Sequence, residues 1–399
     1  MKHLKKIAAG LLIISFFLAS CKKEIPRTAS DPVQNSSDIS VNSAGLLSKE
    51  VKSKLAGMRK ALAKVNLQQH QPPAALQERL NAEFRDIALK ALKATGAAKE
   101  CDDYTPLYQW LDQQLSDWDD EVINDVLATG MLDIPFYYAY VFENKSAGQY
   151  FGPKGEYTFR SIKTFRDLKQ FWDIPSSKIV LAAFHGNVLR DRYKLILTYM
   201  EVYGLTREDA ELYADYVIYI VNNVPQYRKG NHPIFTFNAF ASVSITTSYG
   251  DTPPKICMGD GIQQAFTAIG YDDVATQAII AHEFGHQIQF ALGIFNDAAT
   301  PESTRRLELM ADAFSSFFLS HSRGAFMQWK RTKEYFQVYY NIGDCATTDL
   351  AHHGTPDQRM AAAEWAYNLI NRWWRRGNLM GSRQFVTLFD AALPEILSH

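Results

Sequence analysis

The run "AIIAHEFGHQIQF", residues 278–290, sets two histidines, His282 and His286, four positions apart in an apolar stretch, with Glu283 beside the first and Gly285 between them. On a helix, residues four apart lie on one face one turn from each other, so the two rings can aim nitrogens at a common ion while Glu283 stays next to it. The competing reading is an ordinary buried helix whose histidines bond to backbone carbonyls. Gly285 speaks against it, because a glycine inside a helix costs about 1 kcal/mol and calls for a compensating reason such as close approach of another element.

Two histidines need a third protein ligand and leave a fourth position for water. The next helical stretch opens at Thr300-Pro301, a cap and first-turn pair, and runs "PESTRRLELMADAFSSFFLSH". Leu307, Met310, Phe314 and Phe317 form its core stripe, and Glu308, Ala311, Asp312 and Ser315 lie alongside. Two carboxylates one turn apart beside a core stripe repel unless something positive joins them. Zinc, one ion per chain, would supply that charge. Glu308 follows His286 by 22 residues, enough for a connection and a returning helix. The expected ligand set is therefore His282, His286 and Glu308, with Asp312 accepting the outer N–H of a ligand ring, His282 first.

Such a centre would do hydrolytic chemistry. Zinc on three protein groups brings the pKa of a water toward about 7, and Glu283 is placed to take its proton as general base. A developing oxyanion then needs a donor. His353, Tyr249 and Tyr271 are the candidates, His353 being favoured because Thr355-Pro356-Asp357-Gln358 behind it forms a capping box that fixes its loop. His352 is the weaker neighbour. "FTFNAFASVS" (235–244) reads as an edge strand above the histidine helix, where an extended peptide could add.

The first residues bear on compartment. Lys2, Lys5 and Lys6 precede an apolar run from Ile7 to Leu18, too short for a mature membrane span and shaped like a signal peptide. It ends in Leu18-Ala19-Ser20-Cys21, which resembles a bacterial lipobox, so residues 1–20 are expected to be removed and Cys21 lipidated. That places the chain in the bacterial cell envelope as a lipid-anchored protein, at the outer membrane or cell surface ahead of the inner membrane. Without residues 1–20 the chain has 39 basic and 43 acidic residues, a formal charge of −4, which argues against nucleic acid as partner. Cys101, Cys257 and Cys345 remain, an odd number at spacings of no metal-site type; a pair could form a disulfide, but the sequence does not say which.

Residues 21–44 are Ser, Asn, Asp, Pro and Thr with hardly a large apolar side chain and read as a flexible tether. From 45 to 150 the pattern is helical, as in "LNAEFRDIALKALKATG" (80–96). From 151 to 399 it is mixed. "SSKIVLAAFHG" reads as a strand, "LRDRYKLILTYMEVYG" and "TREDAELYADYVIYIVNNV" as helices, and "PIFTFNAFASVSI" and "PKICMGDGI" as β-rich runs around the turn "SYGDTPP". Asp272 and Asp273 are expected to cap and charge the start of the histidine helix. The fold class is α+β.

"AHEFGHQIQ" with "RLELMADAF" resembles the neutral zinc metallopeptidase family, in the gluzincin branch of the zincins to which thermolysin belongs. "IGDCATTDLAHHGTPDQR" (342–359) resembles that family's Gly-Asp…His-Gly-Thr/Ser-x-x-Gln-Arg element, departing from its usual Gly-Asp-Asp at Gly343-Asp344-Cys345. The resemblance covers about residues 230–375. It implies a zincin-like metallopeptidase domain, a small sheet with an active-site helix, behind the helical N-terminal region, and a zinc-dependent peptidase acting on peptide or protein substrates. Two other readings stand beside it. One is a zinc-stabilised lipoprotein that binds peptides or glycans without cutting them; the other is a metal-free structural lipoprotein.

Overall fold

Ser48 and Asp119 accept the backbone N–H groups of Val51 and Val122 and so start two of the helices that dominate the N-terminal part of the computed structural model. The structure describes residues 47–65, 67–74, 76, 83–93, 104–295, 300–345, 348, 350, 352–371 and 378–399, so the signal segment, the tether, Cys21 and Cys101 lie outside the described residues. Before residue 150 come α1 (Lys49–Leu62), α2 (Glu83–Lys93), α3 (Pro106–Gln114), α4 (Asp120–Thr129) and α5 (Ile134–Phe142). Then follow α6 (Thr158–Phe171), β1 (Val180–Phe184), α7 (Arg192–Glu201), α8 (Arg207–Asn223), β2 (Ala239–Ser242), β3 (Thr246–Thr247), β4 (Gly250–Asp251) and β5 (Lys255–Gly259). The chain closes with α9 (Asp260–Ala268), α10 (Asp272–Leu292), α11 (Pro301–Ser320), α12 (Trp329–Asn341), α13 (Pro356–Leu369) and α14 (Ser382–Ile396). This is a mostly helical α+β protein, with 14 helices among the described residues and two small sheets.

The larger sheet has the order β1-β5-β2, with β1 parallel and β2 antiparallel to the central β5. β5 is buried at every position, as expected of a strand covered on both faces. β2 is an edge strand, and β3 and β4 form a separate two-stranded ribbon. Residues 47–399 form one compact unit, and the helices before residue 150 share its core: Leu107 N–H and the Thr105 hydroxyl both bond to Asn341 at the end of α12. Lys255, fully buried in β5, donates to the carbonyls of Ala139, Tyr140 and Glu143 and to Asn144 Oδ1, and so holds the C-terminal end of α5 against the sheet. Burial pushes its pKa down.

Three local expectations are corrected. Pro233–Thr236, inside the run read as β-rich, is a 3-10 turn: proline has no N–H to give a ladder, and the His232 ring accepts the Ile234 N–H at 3.2 Å. "GDGI" ends β5 and begins α9, because Gly261 carries no Cβ; one there would lie 2.0 Å from Pro233 O, so only glycine lets this helix rest on that turn. At the start of α10 the capping position belongs to Tyr271, without a side-chain bond, and Asp272 is the first helical residue, facing Thr267 at the end of α9.

Candidate metal centre

α10 and α11 pack against each other, and Gly285 is the reason they come so close. A Cβ at Gly285 would stand 2.9 Å from Ala311 Cα and 3.1 Å from Ala311 O, nearer than such atoms normally approach. The glycine anomalous in the sequence thus brings the histidine face of α10 onto the Glu308 face of α11. α10 is fixed on its other side by Gln287, whose amide donates to Ser242 O at the end of β2 and Lys255 O at the start of β5, both at 3.0 Å. α11 starts where the sequence placed it, with Thr300 accepting the Ser303 N–H in a capping box and Pro301 in the first turn.

The result is a convergence of three donor atoms. His282 Nε2 and His286 Nε2 are 3.1 Å apart, His282 Nε2 is 3.2 Å from Glu308 Oε2, and His286 Nε2 is 3.4 Å from Glu308 Oε1. Ligand atoms about 2.0–2.1 Å from a tetrahedral ion lie about 3.3 Å from one another, so these spacings fit one ion. Hydrogen bonding points the same way. His282 Nδ1 is 2.8 Å from Asp312 Oδ1, and His286 Nδ1 is 2.8 Å from Gln289 Oε1, whose amide nitrogen is committed to Leu307 O at 2.7 Å. Each Nδ1 therefore donates to an oxygen, and in the neutral ring Nε2 carries a lone pair. With both rings neutral, two such lone pairs would face each other and a carboxylate, with Glu308 Oε2 buried and lacking a well-aligned hydrogen bond. Only a cation or a shared proton relieves that arrangement.

The electrostatics follow. Burial disfavours the imidazolium of His282, but the Asp312 and Glu308 carboxylates outweigh it and hold its pKa well above the ordinary histidine value; His286 is raised too, chiefly by Glu308 against its own burial. Burial works to raise Glu308, yet the two histidines pull it well below the usual carboxylate range. Such an arrangement favours positive charge, and the three residues could hold a metal ion.

The structure places Asp312 against His282 and adds a residue the sequence reading missed. Arg359, fully buried, grips Asp312 through Nε and through Nη2, the latter 2.8 Å from Oδ1, making an Arg359–Asp312–His282 chain. Its signal was the Gln358-Arg359 pair just inside α13. Gln289, three positions after His286, was likewise missed. Glu283, 3% exposed, lies on the sheet side of α10 within electrostatic reach of His286 and of Cys257, a free buried thiol that burial pushes up to about 12. Cys345 takes part in a disulfide.

The candidate oxyanion donors are dispersed. Tyr249 is exposed at the tip of the β3–β4 ribbon with its ring on Phe142. Tyr271 precedes α10 by one residue and is separated from His282 by roughly 16 Å of helix rise. Neither is brought to the three ligands. His353 is buried in the loop ahead of α13, which begins with the expected Thr355–Gln358 capping box; its N–H donates to Asp344 Oδ2 at 2.8 Å and its ring lies 3.3 Å from the same oxygen. His352 Nδ1 is 2.8 Å from the other Asp344 oxygen. Burial favours protonating Asp344, but the two histidines reverse this and hold its carboxyl well below the usual range.

Compared with protein-family models, curated proteins and solved structures, the chain matches none.

Proposed function

We propose that this protein is a zinc-dependent peptidase of zincin-like fold, acting outside the cytosol from a lipid anchor at Cys21 in the bacterial cell envelope. The observation that carries the reading is the convergence of three potential ligand atoms, each ring oriented from behind by Asp312 or Gln289, on two helices that Gly285 holds together. His282, His286 and Glu308 would hold the metal. When bound, zinc supplies Lewis-acid polarisation of the scissile carbonyl and acidifies a water. The chain's residues do the rest. Glu283 takes the water's proton and passes it to the leaving amine, Asp312 and Arg359 fix the His282 ring, and His353, held by Asp344, is the donor for the developing oxyanion. β2, where the sequence reading would add an extended peptide, is buried at all four of its positions, and Ser242 O already accepts from Gln287.

Two variants test this. Elemental analysis should find one zinc per wild-type chain and much less in His286→Ala; equal zinc in both would reject the site. Glu283→Gln should keep zinc and fold but lose peptide turnover by several orders of magnitude, because the base goes while the ligands stay.

One observation favours a second reading, a zinc-stabilised protein that binds peptides or glycans without cutting them. Glu283 is 3% exposed, so water must reach a nearly closed carboxylate. No turnover by wild type or variant, with zinc and peptide binding retained, would favour it, whereas turnover by Glu283→Gln within tenfold of wild type would reject Glu283 as the base.

A further inference from the structure

α1, α4, α8 and the turn at Leu67–Gln69 frame an open cavity of about 620 Å³, and neither α10 nor α11 contributes to its walls. The volume is that of a small-molecule site. Leu62, Leu67 and Ala128 give it an apolar wall, and Tyr213 and Tyr216 of α8 an aromatic one. The walls are tied to one another: the Leu67 N–H donates to the Tyr213 hydroxyl at 3.0 Å, which fixes the turn against α8.

The charges in this cavity select the sign of a ligand. Arg59 reaches in from α1, and each of its nitrogens is committed: Nε donates to Asp125 Oδ1 and to the Tyr216 hydroxyl, both at 2.9 Å, Nη2 to Asp125 Oδ2 at 2.6 Å, and Nη1 to Glu121 Oε1 at 2.5 Å. Tyr216 in turn donates to Asp125 Oδ1 at 2.6 Å. With the fork already filled, an anion finds no empty guanidinium edge. The lining residues set one guanidinium against two carboxylates, so the cavity carries a surplus negative charge. That surplus is accessible on Glu121, whose side chain is 58% exposed and whose Oε2 has no partner among the described residues. Asn124 and Gln68, both exposed on the same walls, have side-chain amides that make no hydrogen bond among the described residues. A cation is therefore favoured at the mouth by Glu121 and by the tyrosine faces, and an apolar body by the walls behind.

We infer that this cavity is a second binding site, separate from the metal centre, which takes a protonated amine on an apolar body, the amine meeting Glu121 and the apolar part lying against Leu62, Leu67 and Ala128. A free peptide amino terminus with an apolar first residue and a simple arylalkylamine share that chemistry. The first would also offer a carbonyl to the Asn124 and Gln68 amides. The site stands whether or not the protein cuts peptides.

The test is calorimetric titration of the full chain, at a pH of about 6 where the amines carry their charge, with phenylalaninamide, 2-phenylethylamine and N-acetylphenylalaninamide. The two amines should bind about tenfold tighter than the acetylated compound, the low end for a hydrogen bond to a charged group because Glu121 is more than half exposed. Glu121→Gln should erase that preference. Ala128→Phe, which fills the cavity from an exposed position on α4, should abolish amine binding, with thermal unfolding confirming that the variant folds. His286→Ala should bind the amines as wild type does, because no wall of the cavity belongs to the metal centre. Tighter binding of phenylalaninamide than of 2-phenylethylamine identifies a peptide amino terminus as the source; equal or weaker binding identifies a simple amine. Absence of binding, equal affinity for the charged and acetylated compounds, or a preference that survives in Glu121→Gln overturns the inference. So does amine binding that persists in folded Ala128→Phe or is lost in His286→Ala, since either outcome places the amine outside this cavity.

Discussion

At the scale of single residues, the centre depends on groups that never touch the ligand. Asp312 is fully buried and shared between His282 and Arg359, so its charge is tolerable only while both partners remain. Arg359→Met should therefore destabilise the protein by about 3–5 kcal/mol, the scale of leaving a buried charge unpaired, and weaken zinc binding because the His282 ring loses its fixed orientation. Urea unfolding and a zinc titration check both; an unchanged midpoint would mean that Asp312 is not held as described. His353 and His352 separate by a different readout. Removing an oxyanion donor costs about 100- to 1000-fold in kcat, so His353→Ala should show that loss with zinc content unchanged. His352, the weaker donor candidate, has its ring fully buried and bound to Asp344, so the cost of His352→Ala should fall on stability, with kcat close to wild type. If His352→Ala proves the worse for turnover, the roles are reversed.

At the scale of elements, the spacing of α10 and α11 sets the spacing of the ligands. Replacing Gly285 by Ala gains about 1 kcal/mol of helix propensity, but it puts a methyl against the backbone of Ala311, where overpacking costs about 1–3 kcal/mol and the helices must part. Glu308 would then move from the histidines. Gly285→Ala is expected to keep the helical circular-dichroism signal of wild type while lowering zinc affinity at least tenfold; wild-type affinity would show that the close approach is not needed for the site. At the far end of α10 the chain needs only a helix stop, and Gly293 at φ 67° provides it.

At the scale of the molecule, pH should act through Asp344, which ties the loop carrying His352 and His353 to the end of α12. Its carboxyl titrates below its unfolded value, so its contribution is complete above about pH 4 and is lost as pH falls through the lower folded-state value. Asp344→Asn should lower the Tm near neutrality, and its deficit relative to wild type should shrink as pH is taken from about 4 toward 2. A constant deficit over that range would mean that the carboxylate is not stabilised by its two histidines.

The sequence by itself determined what depends on local spacing. Residues four apart on a helix must share a face, a Thr-Pro start must cap, and a run such as "KICMG" must be buried, so the histidine helix, the cap of α11, the Thr355–Gln358 box and the strands β1 and β5 could be read directly. The placement of Glu308 and Asp312 on one face of α11 was legible for the same reason, since they lie one turn apart beside a core stripe. Tertiary structure alone decided the contacts between segments distant along the chain. Arg359 lies 47 residues from Asp312, and Lys255 lies more than 100 residues from the helix end it caps; no periodicity links such positions, because they meet only after the core has packed. The start of α9 also needed the fold, since Gly261 reads as a turn until a backbone oxygen occupies the space its side chain would have filled.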